Sequence, residues 1–104
     1  MTSDDAPTSP LVVTVYGPTE GTCRLAIAGA LDIAGAGILD SALTTVPDDV
    51  ALSIDLTGIE FVDSSGIRSL IEAHNTRSTT LLNASSAVRR TFGLANVEHL
   101  LETS

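Results

Sequence analysis

The sequence predicts an α/β fold: a mixed sheet of four to five strands, mostly parallel with an antiparallel first strand, and helices largely on one face. Two observations carry this. From residue 22 onward, β-branched apolar runs alternate with segments of helical spacing, and such alternation implies parallel strands joined by right-handed crossovers. Before that point, two strand-like runs are separated only by the turn-forming GPTEG, residues 17–21, which reads as an antiparallel hairpin. With 104 residues, 43% of them hydrophobic, the chain supports one buried core and no second one.

The elements follow in order. Residues 1–10, MTSDDAPTSP, are rich in Pro, Ser and Asp and read as a flexible tail, with the domain over 11–104. Leu11–Tyr16 is the first strand. Thr22–Ala28 is the second, with Leu25 and Ile27 on one face and Ala26 and Ala28 on the other. Ile38, Leu39, Ala42, Leu43 and Val46 recur at helical spacing, predicting a helix over Ala34–Val46 that Gly35 and Gly37 weaken in its first turn. Ala51–Leu56 is the third strand, and Ile67, Leu70, Ile71 and His74 form the stripe of a second helix. Thr79–Asn83 is the fourth strand. Ser85 or Ser86 caps a third helix through Val88, Phe92 and Ala95, and a last short element holds Val97, Leu100 and Leu101. The expected core is Leu25, Ile27, Leu52, Ile54, Leu56, Ile67, Leu70, Ile71, Val88 and Phe92.

Charge and cysteine content narrow the function. The net charge is −8, and all five basic residues are Arg: Arg24, Arg68, Arg77, Arg89 and Arg90. No basic stripe exists to neutralise phosphates, so direct nucleic-acid binding is not expected, and anionic membrane surfaces are disfavoured. The lone Cys23 reads as a small buried hydrophobe in a reducing cytosol. The N-terminus lacks a basic region and an apolar stretch, and the least polar run, Leu25–Leu39, is too short to span a bilayer. The expected location is the cytoplasm.

The informative stretch is Asp63-Ser64-Ser65-Gly66, where an apolar strand hands over to a helix. Three readings are open. As a helix cap, Asp63 or Ser64 supplies the one oxygen a cap needs, which leaves the other polar residues unexplained. As a nucleophile, the stretch fails the Gly-x-Ser-x-Gly elbow: Val62 stands two before Ser64 and Asp63 two before Ser65. No positioned base accompanies it, since His74 and His99 read as structural or solvent-facing, and no metal-ligand cluster is present. As a modification site, a serine at an exposed helix start is within reach of a kinase. A phosphate there meets free backbone N–H groups and the positive end of the helix dipole, while adjacent Asp63 makes the patch sharply anionic.

VDSSGIRSLIEA resembles the signature loop and helix of the STAS domain, specifically the bacterial anti-sigma factor antagonists. IAGALDIAGAGIL is similar to that family's GELD-type strand, loop and helix, placing Asp32 at its aspartate, and ASSAVRRTFGLANVEHL to its third helix. The resemblance covers nearly everything from Leu11 onward and implies the STAS fold. It implies phosphorylation at Ser64 and partner contacts at Asp32, Asp63, Ser64, Ser65, Gly66 and Arg68, with no catalytic residue, metal or cofactor. The implied cycle is partner switching. The unphosphorylated protein binds an anti-sigma factor serine kinase and frees a sigma factor, phosphorylation ends the binding, and a PP2C-type phosphatase restores it. The implied alternative is a STAS-domain scaffold or nucleotide-sensing accessory subunit of a stressosome-like or transport complex. Three departures from the family pattern stand out: Ala30 replaces the GELD glutamate, Arg68 replaces a small residue, and His74–Thr80 lacks a Gly-Gly turn.

Overall fold

The computed structural model describes residues 9–101. Four strands form one sheet in the order β1 (Val12–Thr19), β2 (Thr22–Leu31), β3 (Ala51–Val62), β4 (Thr79–Leu82). β1 runs antiparallel to β2, and the other two pairings are parallel. Helix α1 (Ile33–Leu43) joins β2 to β3 and α2 (Ser64–Thr76) joins β3 to β4. α3 (Ser86–Leu94) and a 3₁₀ turn at Glu98–Leu100 follow. The sheet has four strands, the lower of the expected four to five, and the last short element adds a single bridge between Leu81 and Leu101.

Burial follows the two-residue period of the strands. Cys23, Leu25 and Ile27 of β2, Leu52, Ile54 and Leu56 of β3, and Leu81 of β4 are buried in one core with Leu39, Ile67, Leu70, Val88 and Phe92 from the helices. On the opposite face of the hairpin, Val12, Thr14, Tyr16, Arg24 and Ala28 are exposed. Of the expected core residues only Ile71 is half-buried, packed at the margin. Val46 is buried as well, although the helix stops at Leu43 and Val46 enters the core from the loop.

Several boundaries differ from expectation for identifiable reasons. β1 continues through Gly17-Pro18 to Thr19, and the hairpin turns at Glu20-Gly21, both at positive φ. β3 does not end at Leu56 but runs on to Val62. Register irregularities between Ala26 and Ala28 and between Gly29 and Ala30 keep it paired with β2, and at Gly58 a side chain would sit 2.6 Å from the Ala28 Cβ. Ile38 is exposed rather than part of the α1 stripe, because Gly35, Ala36 and Leu39 form the buried face. Gly35 therefore does more than weaken its turn: a Cβ there would lie 2.2 Å from the Ala30 carbonyl oxygen. Of the expected tail, residues 1–8 lie outside the described residues, as do 102–104 at the other end. Ser9 and Pro10 are tied to the sheet: the Ser9 carbonyl accepts from Ala30 N–H at 2.9 Å, and Ser9 N–H donates to Glu60 Oε1 at 3.0 Å.

One buried charge was not anticipated. Asp55, 7% exposed, sits on the face opposite the helices in register with Ala26 and Leu82. Its Oδ1 accepts from the Thr57 hydroxyl at 2.6 Å, Thr57 N–H at 2.9 Å and Asn83 Nδ2 at 3.2 Å, and its Oδ2 pairs with Arg24. Arg24 in turn lies over the Tyr16 ring. One carboxylate thereby links β2, β3 and the end of β4. The hydrogen bond from Thr57 is the largest influence, and with the others it outweighs burial, holding the Asp55 carboxyl well below its ordinary value of 3.8. A depressed folded-state pKa contributes stability that is complete above the unfolded value and is lost as the pH falls through it toward the folded value. Asp55→Asn is therefore expected to melt below wild type at pH 7, with the gap narrowing below about pH 4. Thermal melts across that range check this, and a gap that stays constant or widens in acid would contradict it.

Candidate functional site: two capped helix starts at one end of the sheet

Leu31 and Val62 are register partners at the carboxyl ends of parallel β2 and β3, so the chain leaves the sheet twice at adjacent points. At each exit the next residue is an aspartate in extended conformation that caps a helix: Asp32 for α1 and Asp63 for α2. Asp32 Oδ1 accepts from Gly35 N–H at 2.8 Å. Asp63 Oδ1 accepts from Ser65 N–H at 2.9 Å and Gly66 N–H at 3.2 Å. Of the two cap candidates at this turn, Asp63 is the one used, and it leaves the Ser64 hydroxyl without a hydrogen bond among the described residues. Of the free amides expected at this helix start, those of Ser65 and Gly66 are occupied by Asp63.

Two glycines set how closely the helices approach the strand. A Cβ at Gly66 would lie 2.3 Å from the Leu31 carbonyl oxygen, just as one at Gly35 would strike Ala30. Consecutive carbonyls of β2 are thus covered by the first turns of two neighbouring helices, and Asp63 N–H adds a 3.3 Å bond to Leu31 O. Only residues without a side chain permit this approach. Ser64, as the first residue of α2, is held on a rigid platform and faces solvent.

The remaining expected site residues gather around it to different degrees. Ser65 is half-buried and Gly66 buried, so their part is positional. Asp32 and Asp63 are half-buried, their side chains committed to capping. Arg68 is exposed one turn beyond Ser64 and has no ion pair among the described residues. Ala30, at the departure from the GELD pattern, is buried at the end of β2, away from any surface contact. Ile33, directly after Asp32, is 76% exposed, and Phe61, two before Asp63, is 46% exposed. Sequence reading missed both as surface residues, since apolar side chains in a strand and a helix are ordinarily assigned inward. A shallow groove of about 140 Å³ opens between Ile59–Val62 and Ala87, Val88 and Thr91 of α3, beside Phe61.

His74 lies in the last turn of α2, ten residues from Ser64 and so about 15 Å along the axis. His99 sits in the 3₁₀ turn. Neither is placed to activate the Ser64 hydroxyl. Among the described residues no group of three or more His, Cys, Asp or Glu side chains is placed to hold a metal ion, and no helix is long and apolar enough to cross a membrane. What the surface offers is a free hydroxyl, two fixed carboxylates, one unpaired guanidinium and two exposed apolar side chains.

Comparison with known proteins agrees with this architecture. The family model described as "Mlab, STAS domain" matches residues 15–102. An anti-sigma factor antagonist from Mycobacterium paratuberculosis is 22% identical and superposes with a TM-score of 0.74, with 97% of this chain and 87% of that chain covered. The anti-sigma factor antagonist SpoIIAA in its unphosphorylated form is 21% identical with a TM-score of 0.69, covering 89% and 88%. In the phosphorylated form, SpoIIAA of Bacillus is 22% identical with a TM-score of 0.63, covering 89% and 91%. A sulfate transporter family protein from Wolinella succinogenes is 14% identical with a TM-score of 0.66, covering 84% and 76%. At these identities the likeness is one of fold. No curated protein matches the chain at the level of sequence.

Proposed function

Because the chain belongs to the STAS domain family, we propose that it acts as an anti-sigma factor antagonist switched by phosphorylation of Ser64. Unphosphorylated, it binds an anti-sigma factor serine kinase through the surface around Asp32, Asp63, Ser64 and Arg68 and so releases a sigma factor. The kinase then transfers the γ-phosphoryl group of ATP to Ser64 Oγ, whose proton leaves and ADP departs, and the complex dissociates. A PP2C-type phosphatase hydrolyses the phosphate and restores the hydroxyl. The chain catalyses none of these steps itself, needs no cofactor and works in the cytoplasm.

The single observation that carries this reading is the exposed, unbonded hydroxyl of Ser64 on the first residue of a helix whose cap is already supplied by Asp63. A serine needed for structure would be making that cap; this one is spare. The fold likeness to SpoIIAA in both unphosphorylated and phosphorylated forms supports the compatibility of the scaffold with such a cycle. The second reading, a scaffold or nucleotide-sensing accessory subunit of a stressosome-like or transport complex, draws on the likeness to the sulfate transporter family protein.

A pull-down from the native host's lysate with wild-type protein and with Ser64→Asp, read by mass spectrometry, tests the choice. The expected result is an ATPase-fold serine kinase retained by wild type and lost from Ser64→Asp. Recovery of transporter subunits by both proteins would favour the second reading instead.

A further inference from the structure

We propose that Arg68 is the intramolecular receptor for a phosphate on Ser64, so that modification withdraws a cation from the partner-facing surface as well as adding an anion to it. The inference rests on the reading of Ser64 as the modified residue and concerns how that modification is read out. Ser64 opens α2 and Arg68 follows four residues later. Residues so spaced lie one above the other on a helix, about 5 to 6 Å apart at Cβ. Both are exposed, the Ser64 hydroxyl makes no hydrogen bond, and Arg68 makes neither ion pair nor hydrogen bond among the described residues. Arg24 and Arg77, by contrast, are already held by Asp55 and Asp48.

Three amides of the helix start are already engaged. Asp63 takes the amides of Ser65 and Gly66 with its side chain and that of Ile67 with its carbonyl. On the two caps and along α2 as far as Glu72, the other charged groups are carboxylates: Asp63 on the same cap, Asp32 on the neighbouring cap of α1, and Glu72 one turn beyond Arg68. A phosphoserine of about −1.5 to −2 charges set among them is repelled, and its second ionisation is disfavoured unless a cation compensates. Arg68 is the cation within the first two turns of α2, and its planar fork matches phosphate oxygens.

The test places phosphoserine at position 64 by genetic encoding, so that no kinase is involved, and follows the ³¹P resonance through a pH titration. The second pKa of the phosphate is expected to lie lower in the wild-type background than in Arg68→Gln, by roughly half a unit for an exposed pair at this spacing. Arg68→Lys is expected to restore part of the difference, and 1 M salt to shrink it. Unmodified Arg68→Gln is expected to melt with wild type, which separates a phosphate clamp from a structural role. Equal pKa values with and without Arg68 would overturn the inference. A kinase that ignores Ser64 would overturn the functional reading alone, because the installed phosphoserine titrates whatever its origin.

Discussion

Ser64→Asp is expected to weaken the complex with the anti-sigma partner by about a thousandfold, roughly 4 kcal/mol, while leaving circular dichroism and melting temperature close to wild type. The two halves of this result have separate physical origins. The free state is spared because the Ser64 hydroxyl makes no hydrogen bond that the substitution would remove, and the side chain points into solvent. A carboxylate on the first residue of a helix also meets the positive end of the dipole, so any change in stability stays within about half a kcal/mol. The complex is not spared. A partner surface shaped for a neutral hydroxyl must strip water from the new charge without pairing it, and unpaired buried charge costs several kcal/mol. Ser64→Ala is expected to bind as wild type and to resist release by ATP. Calorimetry decides: normal binding by Ser64→Asp, or weak binding accompanied by unfolding, would refute local repulsion as the switch.

Phe92→Ala is expected to cost about 3 to 5 kcal/mol. Of the three aromatic residues in the chain, Tyr16 and Phe61 are exposed and Phe92 is fully buried. It sits where α3 packs against β3, inside a core of otherwise aliphatic side chains. Its carbonyl also accepts from Val97 N–H at 2.9 Å, so the chain beyond α3 is anchored at the same point. For a domain of about this size, stabilities run near 5 to 15 kcal/mol, so the variant retains little margin and its melting temperature falls by more than about 12 °C. A denaturant melt showing a loss under about 1 kcal/mol would mean that α3 does not close the core.

How much of this was legible in the sequence depends on whether the deciding interaction is local. The Asp63-Ser64 step could be read directly, because a cap is an interaction within four residues and leaves a characteristic polar residue before an apolar stripe. Leu25, Ile27, Leu52, Ile54 and Leu56 could be read from alternation for the same reason. Asp55 could not, since its burial depends on Arg24, thirty-one positions earlier, and Asn83, twenty-eight later. The signal was present nonetheless: a lone carboxylate inside the apolar run Ile54-Asp55-Leu56 is seldom left without a partner. The length of β3 was hidden beyond Leu56, because the strand continues through an irregularity at Thr57-Gly58 that the neighbouring strand accommodates. Gly35 looked only like a weak helix position, and Gly66 only like part of the signature stretch, because the carbonyls they admit belong to β2. Ile33 and Phe61 were invisible as surface residues because hydrophobicity predicts burial only on average.

The measurement that bears most directly on Ser64 as the switch is phosphopeptide mapping of the protein after incubation with its cognate kinase and ATP. One phosphate is expected, on Ser64, with Ser65→Ala still a substrate and Ser64→Ala not. Ser65 is half-buried against the platform that Gly66 packs onto β2, so a kinase reaches Ser64 first. A phosphate mapped to Ser65, to a tail serine such as Ser3, or still added to Ser64→Ala would contradict the assignment.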